Sequence, residues 1–194
     1  MTSCFCLRAP IWTFGRVIHL EPYFLMERMT SSKGILMKQM KIRKLKADET
    51  ELLRDFLYDA IFIPEGVEPP DRSIINQPEL SLYYEDFGSG PADYCLVTEI
   101  DGNVVGAVWT RIMNDYGHVD DNTPSFAISL YKEYRGKGFG TEMMRKMLEL
   151  LKNQGWKRAS LAVQKANYAV RMYETVGFRT VDENAEEYIM VCEL

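Results

Sequence analysis

Arg135-Gly136-Lys137-Gly138-Phe139-Gly140 lies between an apolar segment, Phe126 to Tyr131, and a strongly amphipathic one, Thr141 to Gln154. The pattern reads as strand, glycine turn, helix. Three glycines in five positions let the backbone take positive φ and leave its N–H groups uncovered by side chains. A helix that begins directly afterwards aims its positive dipole end and its unpaired N–H groups at the same spot. Such a turn is a cradle for an anion, most naturally a phosphate. It is equally compatible with a tight connection and nothing more.

Downstream of the turn, Met143, Met147, Leu150 and Leu151 recur at helical spacing, with Met144 and Leu148 beside them. Gly155 is a natural stop. Ser160 to Val163 reads as a strand, and Asn167 to Val176 as a short helix ended by Gly177. Phe178 to Val181 and Tyr188 to Cys192 read as two strands about the acidic turn Asp182 to Glu187. Upstream, Tyr94 to Ile100 and Val104 to Ile112 flank Asp101-Gly102, a strong hairpin signal. Asn114 to Pro124 is a polar loop that carries Asp115, Tyr116, His118, Asp120 and Asp121.

Further back, Lys41 to Lys46 alternates like a short edge strand. Asp48 and Glu51 are spaced as a capping box ahead of the stripe Leu52, Leu53, Phe56, Leu57, Ala60 and Ile61. Pro64, Gly66, Pro69 and Pro70 break that helix, and a second one is expected within Ile74 to Phe87, after Pro78. The order β-α-α-β-β-β-α-β-α-β-β predicts a single α/β (α+β) domain. It would hold one mixed, largely antiparallel sheet flanked by helices.

The domain is expected to span 40–194. Residues 1–39 carry five Lys/Arg against two Asp/Glu and show no sustained period, whereas the whole chain has a net charge of −5. They read as an N-terminal extension, an appendage or a targeting or docking arm, with Met26, Met29, Met37 and Met40 as later start points. The acidic balance gives no reason to expect a nucleic-acid partner. Cys4, Cys6, Cys95 and Cys192 form no CxxC pair and His19 and His118 lie far apart, so neither a metal site nor a disulfide framework is read. That usage fits a reducing, cytoplasmic setting. No apolar run approaches the length of a membrane span.

The run Leu130 to Gly140 resembles the acyl-CoA-binding motif of the GCN5-related N-acetyltransferases (GNAT), Arg/Gln-x-x-Gly-x-Gly/Ala, filled here by Arg135, Gly138 and Gly140. Asn167, Tyr173, Gly177 and Phe178 are similar to that family's second signature. The resemblance covers about 41–194. It implies the acyl-CoA N-acyltransferase-like fold, with acetyl-CoA as acyl donor. It also implies a central strand that pairs with the pantetheine arm through Ile128, Ser129 and Leu130. The pyrophosphate would lie on N–H groups of Arg135, Gly136, Lys137, Gly138, Phe139, Gly140 and Thr141, with Asn167 as a contact or a helix cap. The strand before the turn should splay from the next, with the cofactor in the gap.

Acyl transfer to an amine requires that an ammonium with a pKa of about 10 lose a proton before it attacks. It also requires donors for the developing oxyanion and for the leaving thiolate. By the resemblance, the Leu130 N–H serves the first and Tyr173 the second; Tyr173 reads equally as a packed aromatic. The family's strand-borne Glu has no counterpart in Phe126 to Tyr131. Candidates for the base are therefore His118 and Asp120 from the 114–124 loop, beside Asp115 and Asp121, with Glu65 further off. The acceptor is a small-molecule or peptide amine: an aminoglycoside, a polyamine, a lysine side chain and a protein N-terminus all stay open. A homodimer is compatible. The alternative is a non-catalytic acyl-CoA sensor. A nucleotide site is disfavoured, because the turn has neither the Gly-x-x-x-x-Gly-Lys-Ser/Thr nor the Gly-x-Gly-x-x-Gly interval.

Overall fold

The structure, a computed structural model, describes residues 40–64 and 66–194. The extension 1–39 and Glu65 lie outside the described residues. Seven strands form one sheet in the order β1-β2-β3-β4-β5-β7-β6. They are β1 (Met40–Lys44), β2 (Tyr94–Ile100), β3 (Asn103–Arg111), β4 (Ser125–Leu130), β5 (Arg158–Gln164), β6 (Arg179–Glu183) and β7 (Glu187–Glu193). Four α-helices accompany them: α1 (Leu52–Ala60), α2 (Pro78–Ser81), α3 (Phe139–Asn153) and α4 (Val170–Thr175). Every pairing is antiparallel except β4 with β5. The expected mixed, largely antiparallel sheet is therefore present. Among the described residues no helix is long and apolar enough to cross a membrane.

Each face of the sheet has its own core. On one, Met143, Met144, Met147 and Leu151 of α3 pack on Leu96, Val108, Phe126, Leu130 and Leu161. On the other, Leu53, Phe56 and Leu57 of α1 pack on Val97, Ala107 and Trp109. Period-2 alternation along β3 and β4 sends successive side chains into opposite cores, which is why both strands are apolar nearly throughout. The Asp101-Gly102 turn carries positive φ at both positions (52° and 82°), the geometry that matches the twist of a two-residue hairpin.

Two local expectations give way. Asp48 caps no α-helix. It lies inside a 3₁₀ turn, Ala47–Glu49, and α1 begins only at Leu52. Glu49 takes the capping part instead, accepting the Lys46 N–H at 3.0 Å. The second helix shrinks to a 3₁₀ turn, Arg72–Asn76, and the four-residue α2. Side chains of β3 claim the carbonyls beyond α2: Trp109 Nε1 donates to Tyr83 O, and Arg111 donates to Leu82 O and Glu85 O. These bonds hold residues 82–86 as turns against the end of β3, with Asp86 at φ 49°.

The edge strand β1 is fastened by Arg43, whose guanidinium donates twice to Glu49 (2.6 and 2.8 Å) and once to Glu99 (2.7 Å). The Arg43 hydrogen bonds hold the Glu49 carboxyl down at about 2. A depressed carboxylate stabilises the fold above its unfolded pKa of 4.5, and that stabilisation is lost as pH falls toward 2. Arg43→Ala is therefore expected to lower the urea midpoint at pH 7. The gap from wild type should close between pH 4.5 and 2. A gap that stays constant over that window would remove Glu49 from the account.

Candidate active site

The parallel pair at the centre of the sheet is barely a pair. β4 and β5 are in register only at Ser125 and Ser160, supported by the Ser160 N–H to Pro124 O bond at 2.9 Å. Beyond that point the strands part. The Tyr131 N–H donates to Val105 O on β3. By the alternation of an antiparallel ladder, odd-numbered residues of β4 therefore turn their backbone groups to β3, and Phe126, Ile128 and Leu130 turn theirs to the gap. A strand edge with free polar groups is a partner for an extended, amide-bearing ligand.

A cavity of about 1090 Å³ opens on this gap. Its walls are Ile128 to Glu133, the α1 end with the following segment (Tyr58 to Ile63, Pro69 and Pro70), and Asn167 to Ala169, Met172 and Tyr173. Its floor is the glycine turn, through Arg135, Gly136, Gly138, Gly140 and Thr141. Gly136 and Gly138 have φ of 70° and 85°, and a Cβ at either would meet no protein atom. Gly138 is also the N-cap of the 15-residue α3. The turn thus presents bare backbone and the helix's unpaired N–H groups to one end of the cavity, which suits a diphosphate.

Lys137 and Phe139 do not line the cavity. The Lys137 ammonium sits over the Tyr134 ring, and Phe139 packs against the α3 core. Arg135 lines it, but its guanidinium is engaged elsewhere: Nε donates to Leu130 O (2.7 Å) and Nη2 to Asp59 O (3.1 Å). It ties the end of β4 to the end of α1 and fills one gap-facing carbonyl of the strand. The Ser129 hydroxyl donates to Phe56 O at 2.8 Å and seats α1 on β4, while its backbone groups turn to β3, so Ser129 lines the cavity without offering the gap a free polar group. Asn167 Oδ1 accepts the Ala169 N–H at 2.9 Å, a cap for the turn that leads into α4.

Tyr173 projects from α4, buried, with an edge contact to Phe178. Among the described residues nothing hydrogen-bonds its hydroxyl. Burial pushes its pKa well up, so the phenol is a neutral donor at any working pH. Asp59 is the carboxylate of the α1 wall; burial raises its pKa, against the opposing pull of Arg135 and Arg72.

The two loop candidates for the base are not brought to this cavity. Asp120 is consumed by turn chemistry, accepting Asn122 N–H and the Thr123 hydroxyl on Oδ1 and Arg158 on Oδ2 at 2.5 Å. Those bonds hold its pKa down, the wrong direction for a base near neutrality. The His118 Nδ1 meets Met113 O at 3.0 Å, and its Nε2 is 3.9 Å from Asp121. Among the described residues no group of three His, Cys, Asp or Glu is placed to hold a metal ion.

A splayed parallel pair, a glycine turn at its open end and a helix N-terminus below define an acyl-CoA-dependent acyltransferase fold. The comparisons agree. The family described as Acetyltransferase (GNAT) matches residues 57–178. An uncharacterised N-acetyltransferase of Archaeoglobus fulgidus is 28% identical over 141 residues, 69% of this chain and 88% of its own length. A ribosomal protein bS18-alanine N-acetyltransferase of Haemophilus influenzae is 34% identical over 68 residues, 35% of this chain and 47% of that protein. The PaiA N-acetyltransferase of Thermoplasma acidophilum, solved with coenzyme A, superposes with a TM-score of 0.57 at 19% identity. The match covers 80% of this chain and 99% of that one. The chain belongs to the GNAT family and is an N-acetyltransferase, moving an acyl group from a coenzyme A thioester to an amine.

Proposed function

We propose that the donor is acetyl-CoA and the acceptor a primary amine that attacks it directly. The observation that carries this is the single-pair splay of β4 from β5 opening onto the α3 N-terminus. The N–H groups from Arg135 to Thr141 would hold the pyrophosphate. The gap-facing backbone of Ile128 and Leu130, with Ser129 between them, would pair with the pantetheine arm. The Leu130 N–H is the donor for developing oxygen charge. When bound, acetyl-CoA supplies an acyl group activated as a thioester.

Tyr173 serves the leaving sulfur as a hydrogen-bond donor. Full proton transfer from a phenol to a thiolate is uphill, because unperturbed thiols titrate near about 8.5 and phenols near about 10, and burial widens the gap. On the acceptor side, Asp59 and the rings of Tyr58, Tyr131 and Tyr168 suit a cationic amine. Polyamines, lysine side chains and protein N-termini all meet that description. The H. influenzae relative is named for an alanine of a ribosomal protein and supports the last of these. A cytoplasmic setting, no nucleic-acid partner and a dispensable 1–39 extension complete the reading.

Thermal-shift titration of the full chain tests the donor, since binding to the native state raises the apparent melting temperature by mass action. Acetyl-CoA and CoA are expected to stabilise it, ATP and NAD much less. Release of free thiol with a panel of amines then tests transfer. No stabilisation by acetyl-CoA would return the glycine turn to a plain connector. A stable proteolytic core that begins well before Met37 would overturn the dispensable extension.

A further inference from the structure

At the closed end of the splay lies a buried polar cluster that the cavity's lining does not include. Asp115 Oδ2 accepts the Tyr83 hydroxyl and the Ser125 hydroxyl, each at 2.7 Å. Asp115 Oδ1 is sealed from solvent and meets no donor in hydrogen-bond geometry, although the Gly117 and Asp115 N–H groups lie close enough to favour the charged carboxylate. Ser160, wholly buried, also has an unpartnered hydroxyl. Ser125 and Ser160 are the one registered pair of β4 and β5, so their side chains share a face where the strands part. The loop is pressed into this angle: a Cβ on Gly117 would stand 2.7 Å from Ser125 Oγ and 2.8 Å from the Ala162 nitrogen. Only glycine permits that approach.

Buried polar atoms without protein partners are where ordered water is held. Asp115 Oδ1 and Ser160 Oγ offer such a water two acceptors and one donor. Burial raises the Asp115 pKa, while the Tyr83 and Ser125 hydroxyls pull it back. A carboxyl raised above its ordinary range is better suited to serve as a general base than an unperturbed one. The groups around it favour this use. Tyr83, from the turn after α2, stays a neutral donor because burial and then Asp115 itself raise its pKa; Tyr116 of the loop and Glu187 of β7 push it the same way. The nearby His118 imidazole is turned to Met113 O and Asp121.

Resting on the acetyl-transfer reading above, we propose that Asp115 takes the proton of the attacking amine, relayed by a chain of waters that runs along the β4–β5 gap from the cavity to Asp115 and Ser160 at its closed end. The ammonium gives one proton, through water, to Asp115. The nitrogen lone pair then forms the C–N bond as the C–S bond breaks and its electron pair leaves on sulfur. Sulfur takes the second N–H proton, and Asp115 returns its own to solvent. Asp115 acts through water, so it is a positioning and proton-holding residue rather than one in contact with the reacting atoms.

The test uses the full chain with spermidine, a lysine peptide and an alanine-initiated peptide as amine probes, and follows thiol release against pH. Asp115→Asn is expected to lower kcat about 100-fold with the acetyl-CoA thermal shift intact, and to remove the acidic limb of the profile. Ser125→Ala deletes a donor to the charged carboxylate and should move that limb to higher pH. In ¹³C spectra of aspartate-labelled protein, the Asp115 carboxyl, assigned through the Asn variant, should titrate above the ordinary carboxylate range. Wild-type turnover matched by Asp115→Asn, or an acidic limb unmoved in both variants, overturns the proposal. Wild type that binds acetyl-CoA but releases no thiol with any probe overturns the acceptor reading on which it rests.

Discussion

Gly138→Val is expected to abolish most acyl-CoA affinity while leaving the protein folded. Gly138 has φ 85° and is the N-cap of α3. A β-branched residue there is strained by about 1–3 kcal/mol, and its side chain stands in the open cavity that Gly138 lines, where the pyrophosphate would lie. Loss of one charge-assisted hydrogen bond costs about 1.5–3 kcal/mol. Loss of acetyl-CoA affinity by at least about 10- to 100-fold follows, and more if several bonds fail together. Strain alone does not explain such a result, and Gly155→Val separates the two effects. Gly155 has φ 91°, follows the far end of α3, and a Cβ there also meets nothing. It should lose comparable stability and keep its acetyl-CoA thermal shift. Equal affinity losses in both variants would remove the glycine turn from the binding site.

How far this site was legible depends on how local its determinants are. The strand–turn–helix around Gly138 is written in neighbouring residues, and so is the Asp101-Gly102 hairpin. Periodicity, punctuated by glycine and proline stops, carried the order of strands and helices. The base lies beyond that horizon. Asp115, Asp120 and Asp121 look alike along the chain, yet Asp120 closes its own turn within three residues, whereas Asp115 is buried by Tyr83 from 32 positions upstream. Only the folding of 82–86 onto β3 makes that meeting. The same bonds, from Trp109 and Arg111, cut short the second helix. Arg135 teaches a similar lesson: a motif arginine reads as a phosphate contact or a solvated charge, but two carbonyls, the Asp59 one 76 positions upstream, claim it as a tie. The one available signal for Asp115 was Gly117 two residues on, in the turn that the His118 N–H closes on Asp115 O, where the close approach to Ser125 and Ala162 admits no side chain.

Tyr173→Phe is expected to reduce kcat by about 100- to 1000-fold, the range for removal of one donor to developing charge. KM for acetyl-CoA should change little. The hydroxyl has no protein partner among the described residues and belongs to a buried side chain on the cavity wall. Removing it should cost the folded state little, since no protein hydrogen bond is lost and the ring contact with Phe178 survives in phenylalanine. Whatever activity is lost therefore belongs to the reaction. Because burial holds the phenol neutral, a donor role predicts no alkaline limb from Tyr173 below its raised pKa, and the variant should keep the shape of the wild-type pH profile. Net proton delivery predicts something else. Turnover would then need re-protonation of a phenolate in a dry site, and the rate would fall with rising pH and carry a solvent isotope effect that the variant loses. A Phe variant with wild-type kcat and unchanged melting temperature would reduce Tyr173 to a packed aromatic and leave the sulfur to be served from the strand side of the cavity.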